Sequence, residues 1–174
     1  AALWHSAAAP IKIKLTGVGS HGARPHLGVN AVEAAVLITN AINAVKANPN
    51  ISHSIKVTKI NTGTGANNAI PDMASMYVDV RCMENNEMEI ILDKLRLAIE
   101  LSAKANGTQL EYEIELCPAA EYAEELINTN AEAITEVLGV EGLIRNLYTS
   151  GSEDFHFYAK RLGNWSRFNT WPSP

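Results

Sequence analysis

The stretch Gly17-Val-Gly-Ser-His-Gly-Ala-Arg-Pro-His-Leu-Gly28 gathers glycines, a proline and two of the chain's five histidines. Glycine permits backbone conformations that other residues resist and proline fixes its own φ, so this is a shaped loop that presents side chains, His21 and Arg24 foremost. An imidazole titrates near neutral pH and can carry a proton or donate to a developing oxyanion. Asn68 stands before Ala69-Ile70-Pro71, a rigid turn into a strand. Arg81 closes the alternating run Tyr77-Val-Asp-Val-Arg81 on its polar face, where a guanidinium can hold a carboxylate through two parallel bonds. Later in the chain, Gly151 lies between Ser150 and Ser152 in Tyr148-Thr-Ser-Gly-Ser-Glu-Asp154, a loop with local donors.

Each position also has an ordinary reading. A structural turn with a surface histidine accounts for the Gly17–Gly28 loop, and a salt bridge to Asp79 or to the acidic row at Glu111, Glu113 and Glu115 accounts for Arg81. A His21–His26 metal pair has no acidic or cysteine ligand nearby in sequence. Glu153 and Asp154 are adjacent and rarely could face each other across a cleft; Asp154 before Phe155 reads as a helix cap. His156 reads as surface or packing, and His5 and His53 lie in flanking or turn sequence. The serines lack a Gly-x-Ser-x-Gly setting, and Gly63–Gly65 carries no lysine for a phosphate loop.

The elements that must position these residues can be read from periodicity. Ile11, Ile13 and Leu15 alternate with Lys12, Lys14 and Thr16 in a strand opened by Pro10. A helix is expected from about Val29 to Ala47, capped by Asn30, with Ala34, Ile38, Ala41, Ile42 and Val45 on one side. Strands follow over Ile51–Ile60 and Met73–Arg81. Met88, Ile91, Leu92, Leu95, Ile99 and Ser102 stripe a helix from Asn85 to Asn106, with an Asn86–Glu89 capping box and Gly107 as its stop. Gln109–Leu116 alternates apolar residues with the three glutamates, whose simplest reading is a solvated face.

Strand, helix, strand, strand, helix, strand is the order of an α+β, ferredoxin-like sandwich: a four-stranded antiparallel sheet with both helices on one side. Its first or last strand is expected to offer an edge for pairing. Cys117-Pro118 marks a boundary. The expected division is a flank over 1–9, the sandwich over 10–118, and a further segment over 119–174. That segment holds helices at Glu121–Leu138 and Asp154–Leu162, with a loop from Tyr148 to Asp154 between them, and Asn164–Pro174 has no placement.

A length of 174 residues can bury a real core, and a formal charge of −5 argues against a nucleic-acid partner. No apolar run is long enough to span a bilayer. Ala1–Ala9 lacks the basic start and apolar core of a signal peptide, while an opening without methionine leaves a removed leader open. Two cysteines, neither in a CxxC pair, point to free thiols in a reducing, cytoplasmic compartment.

Taken together, Gly-x-Gly-x-His-Gly-Ala-x-Pro-His-x-Gly, Asn61-Thr-Gly-Thr-Gly-Ala-Asn-Asn-Ala-Ile-Pro-Asp72 and Tyr77–Arg81 resemble the inserted dimerisation (lid) domain of the zinc-dependent M20 peptidase family. The wording looks closest to its branch of amidohydrolases acting on N-acyl amino acids. The later Gly-Ser-Glu-Asp-Phe resembles a loop lining that family's active-site cleft, which makes 119–174 similar to the C-terminal part of the catalytic domain.

The resemblance implies a homodimer joined through the lid and a small N-acyl amino acid or peptide as substrate. It implies that His21 reaches into the neighbouring subunit's site to stabilise a tetrahedral intermediate. Asn68, favoured over Asn67, would contact the substrate's carboxylate or amide, Arg81 would recognise the substrate, and the Gly151 backbone would lie beside it. It also implies zinc, or another divalent metal, in the complete enzyme. The family's first metal-binding histidine, its bridging acidic ligand and its general-base glutamate would precede this stretch, and its last ligand histidine would follow the Gly-Ser-Glu-Asp-Phe loop. The chain alone is therefore expected to hold no cofactor and to be inactive. The alternative is a non-catalytic dimerisation or small-ligand-binding module.

Overall fold

The computed structural model describes residues 2–63 and 66–162; the Asn164–Pro174 tail lies outside them. The elements are β1 (Leu3–His5), β2 (Ala7–Ala8), β3 (Ile11–Thr16), β4 (Ser20–His21), α1 (Ala31–Ala44), β5 (His53–Thr62), β6 (Ala69–Ile70), β7 (Met73–Cys82), α2 (Asn85–Asn106), β8 (Gln109–Ile114), α3 (Glu124–Leu138), β9 (Leu147–Thr149) and α4 (His156–Leu162). Single 3-10 turns lie at Pro25–Leu27 and Val140–Gly142.

Four strands form an antiparallel sheet in the order β5-β7-β3-β8, and β2 extends the line of β3 beside β7. Ile11 stands opposite Val78 and Ile114, and Leu15 opposite Ala74 and Leu110. These residues share one face, and with Ile38 and Ile42 of α1 and Met88, Ile91, Leu95 and Ile99 of α2 they make a single core. The register follows from that face, because a one-residue slip would bury Lys12, Lys14, Tyr77 and Asp79. The last strand, β8, is an edge as expected. The first, β3, is central, and β5 forms the other edge. Two crossovers that each skip a strand place it there.

Local hydrogen bonding sets the ends of the elements. The Asn30 side chain accepts from the Val32 N–H at 3.0 Å and caps α1. The helix stops at Ala44, short of the expected Ala47, because the following segment is tied to α2. Lys94 Nζ donates to the Lys46 carbonyl at 2.7 Å, and the Asn48 N–H donates to buried Glu87 at 2.8 Å. The Asn86–Glu89 capping box is not the start of α2, whose N-cap is Glu84 without a side-chain bond. Asn85 instead exchanges hydrogen bonds with the Ala119 backbone. At the other end, Gly107 (φ 82°) closes α2 in the left-handed conformation.

The β8 ladder ends at Ile114 rather than Leu116 because Pro10 has no N–H to continue it; pairing resumes between Ala8 and Cys117. The acidic row on β8 faces outward and pairs with lysines, Lys14 reaching Glu111 at 2.8 Å, which is the solvated arrangement expected. Residues 3–5, read from sequence as a plain flank, form β1 and pair in parallel with β9, so Tyr148 and Thr149 belong to a strand rather than a loop. Strands this short, with partners this distant, leave no periodic trace. The third helix begins at Glu124 instead of Glu121, whose carboxylate accepts from Asn85 Nδ2 at 2.6 Å.

Candidate functional site

The loop after β3 closes on itself. Val18 and Val29 exchange backbone hydrogen bonds at 2.9 Å, and a Cβ on Gly17 would collide with the Val29 carbonyl while one on Gly28 would lie 2.5 Å from Ser20 Oγ. Only glycine lets the two limbs approach this closely. Within the loop, β4 pairs with β6, and the Gly22 N–H donates to the Asn68 carbonyl at 2.7 Å. That ladder brings the Asn68 amide within 3.3 Å of His21 Nε2, and both side chains are exposed.

The histidine's neighbours decide its tautomer. The Ala23 N–H donates to His21 Nδ1 at 3.1 Å, so the neutral ring carries its proton on Nε2. Asn68 Nδ2 stands 3.3 Å from Nε2; with the proton on Nε2, a hydrogen bond between the two side chains takes the flipped amide, its oxygen accepting. The Nε2 edge of the ring thus lies at the exposed surface beside the Asn68 amide. His26 is exposed in the Pro25–Leu27 turn, and the loop is held by the valine bridge.

Arg81 occupies the far end of β7. Its Nε donates to Asp79 Oδ1 and Oδ2 at 3.0 and 3.1 Å, Nη2 lies 3.0 Å from Oδ1, and Nη1 donates to Ser152 Oγ at 3.2 Å. Of its two ordinary partners the structure therefore selects Asp79. The Ser152 contact joins the sheet to the Gly151 loop. That loop is pinned by buried Ser6, whose N–H donates to the Gly151 carbonyl at 3.0 Å and whose hydroxyl donates to the Ser150 carbonyl at 2.7 Å. Arg81 and Gly151 line one cleft of about 920 Å³ with His53, Ser54 and Tyr148.

The four candidates therefore fall into two pairs. Met73 and Arg81 are eight residues apart on one extended strand, which separates the His21–Asn68 end from the Arg81–Gly151 end by roughly 27 Å. Within one chain the pairs do not meet. Sequence alone makes Ser152 only a local donor beside Gly151 and gives Ser6 no role; the signal for Ser6 is a single hydroxyl ahead of Ala7-Ala8-Ala9, an apolar stretch that buries it.

Other titratable groups lie apart from these pairs. His156 is buried, its Nε2 3.2 Å from His5 Nδ1 and its ring edge-on to Tyr122. Burial, reinforced by His5, holds its pKa below the ordinary histidine value. Burial likewise pushes the Cys117 thiol up, away from a nucleophilic thiolate. Among the described residues no three His, Cys, Asp or Glu side chains are placed to hold a metal ion, so these residues do not fit a zinc centre. No helix among them is long and apolar enough to cross a membrane.

Comparison with known proteins adds relatives to this geometry. The sequence pattern of the peptidase dimerisation domain of M20 proteins matches residues 3–106. Hippurate hydrolase of Campylobacter jejuni is 24% identical over 153 residues, covering 85% of this chain and 40% of that protein. An N-acetyldiaminopimelate deacetylase of Leuconostoc citreum is 30% identical over 110 residues, 62% of this chain and 28% of the deacetylase. The chain spans about two fifths of the length of the curated relatives it matches over most of its residues. An aminobenzoyl-glutamate utilization protein from Klebsiella pneumoniae superposes with a TM-score of 0.79 over 91% of this chain and 41% of its own, at 20% identity. A dinuclear metal-binding M20 peptidase from Bacillus subtilis gives 0.64 over 90% and 38%, also at 20% identity. These structural likenesses are likenesses of fold.

Proposed function

The chain belongs to the M20 peptidase family through its dimerisation domain, and from that membership we propose that it carries the lid of an amide hydrolase whose site is completed between two copies. One observation carries this reading: the His21–Asn68 donor and the Arg81–Gly151 cleft lie at opposite ends of β7. A two-fold axis that brings one end of a protomer against the other end of its partner makes two equivalent sites.

In such a site Arg81 holds the substrate carboxylate and the Gly151 loop runs alongside it. His21 Nε2–H from the other copy exchanges Asn68 for the substrate carbonyl oxygen as that oxygen gains charge, while the Ala23 N–H on Nδ1 keeps the ring oriented. The substrate class is an N-acyl amino acid or small peptide; relatives named as hippurate hydrolase and N-acetyldiaminopimelate deacetylase support the first. Zinc, or another divalent metal, would supply the activated water from residues outside those described.

We read the sandwich over 10–118 as ferredoxin-like and as the lid, with β5 or β8 as the pairing edge, and 119–174 as part of the catalytic domain. The free thiols Cys82 and Cys117 support a cytoplasmic setting. A second reading, a non-catalytic dimerisation or small-ligand module, is favoured by the absence of a metal-ligand group among the described residues.

The complete natural gene product separates the two. Zinc content and hydrolysis of an N-acetyl amino acid support the enzyme, and their joint absence supports the module. Co-expressing His21→Ala with Arg81→Ala then tests the shared site. Mixed dimers carry one intact site, so about a quarter of wild-type activity returns from two inactive parents. No recovery would overturn the shared-site arrangement.

A further inference from the structure

Arg81 is already half engaged. A guanidinium has five N–H donors. Asp79 takes the Nε–H and has its Oδ1 3.0 Å from Nη2, and Ser152 takes one donor from Nη1. At least one N–H remains on each terminal nitrogen, and the side chain is only about a third exposed, at 31%. Asp79 can do this because residues two apart on a strand share a face. Across the ladder Ser54 stands opposite Arg81 and Lys56 opposite Asp79, so the charged neighbours of the pair on that strand are limited to one lysine.

We propose that Asp79 is a positioning residue for anion recognition, which locks Arg81 so that its two remaining terminal donors form a fixed fork for a carboxylate. Ser152 completes the clamp and connects it to the Gly151 loop that Ser6 holds. The inference rests on reading Arg81 as the carboxylate-binding residue.

Two effects of Asp79 have opposite signs, and that makes the role measurable. As a charge, Asp79 offsets the Arg81 cation and opposes a second carboxylate, so its removal would tighten anion binding. As a clamp, it removes the rotational freedom of a long side chain before the ligand arrives, so its removal would weaken binding. At a partly exposed site the Coulomb contribution is screened, and we expect the clamp to prevail.

The test is a titration of the intact protein with N-acetylglycine, and with N-acetylglycinamide as the uncharged control, followed through the Arg81 Nε–H signal by NMR. The acid is expected to shift that signal and the amide to leave it. Asp79→Asn is expected to weaken acid binding about fivefold to tenfold and to speed exchange of the Arg81 Nε–H with water. Asp79→Glu is expected to recover part of the affinity, and Arg81→Lys to lose it. Ser152→Ala, a milder change that tests the same clamp if Asp79→Asn does not fold, is expected to weaken binding about twofold to threefold. Equal or tighter binding by Asp79→Asn, with binding still lost in Arg81→Lys, overturns the positioning role and leaves the carboxylate reading standing. Failure of the wild-type protein to bind, or wild-type affinity in Arg81→Lys, overturns both.

Discussion

Asn68 and His21 meet at 3.3 Å across 47 residues of chain because β4 and β6 form a two-residue ladder between them. The contact orients the imidazole, whose Nδ1 accepts from the Ala23 N–H and whose Nε2 faces the Asn68 amide. On the proposed reading of His21 as an oxyanion donor, His21→Ala should lower kcat of the full-length protein by about 10²- to 10³-fold with little change in KM. Asn68→Ala, which leaves the ring in place but unheld, should cost about tenfold. Steady-state kinetics on an N-acetyl amino acid checks both, and a His21→Ala enzyme at full rate would remove it from the site.

The loop that carries His21 depends on the close approach of its limbs. Gly17→Ala would drive a methyl group into the Val29 carbonyl and should destabilise the fold by about 1–3 kcal/mol. Gly63→Ala has open space around it, yet its φ of 112° is a conformation that L side chains rarely adopt, so a smaller loss is expected there. Urea denaturation of the two variants would show the ordering, and equal midpoints would count against it.

Ser6→Ala should affect the Gly151 loop more than the core. It keeps the shape of a buried side chain but leaves the Ser150 carbonyl without its hydroxyl donor, a loss of about 1–2 kcal/mol. Hydrogen exchange is expected to rise over residues 149–153 while β3 and β7 remain protected.

Acid should loosen the contact between α4 and β1. His156 has its pKa below the ordinary 6.5 in the folded chain, through burial first and then His5, with Glu153 opposing. Between the folded value and 6.5 the unfolded chain binds more protons, so stability rises with pH through that window. The contribution is complete above the unfolded value and is lost as pH falls through the folded one. Melting temperature should therefore drop as pH falls through 6.5 and below, and the drop should be smaller in His156→Gln.

Much of the sandwich was written in local patterns. The alternation of Ile11, Ile13 and Leu15 and the stripe of Met88, Ile91, Leu92, Leu95 and Ile99 assign strand, helix and buried face, because an apolar side chain at a period of two or 3.6 has one way to leave water. Asn30 and Gly107 likewise act within a few residues of themselves as caps. The motifs singled out His21, Asn68, Arg81 and Gly151. They carried no information on grouping, since glycine loops and polar strand ends look the same wherever the strand leads. The length of β7 separated the four into two pairs, and the ladder of β4 with β6 joined one of them. Arg81 shows the limit most plainly. Its neighbour Asp79 is visible two residues away, while Ser152, 71 residues on, and Ser6, which steadies that loop, become partners only when β1 pairs with β9. Periodicity records which face of a segment avoids water; a hydrogen bond between distant segments depends on where the chain returns, and that is settled by the packing of the whole.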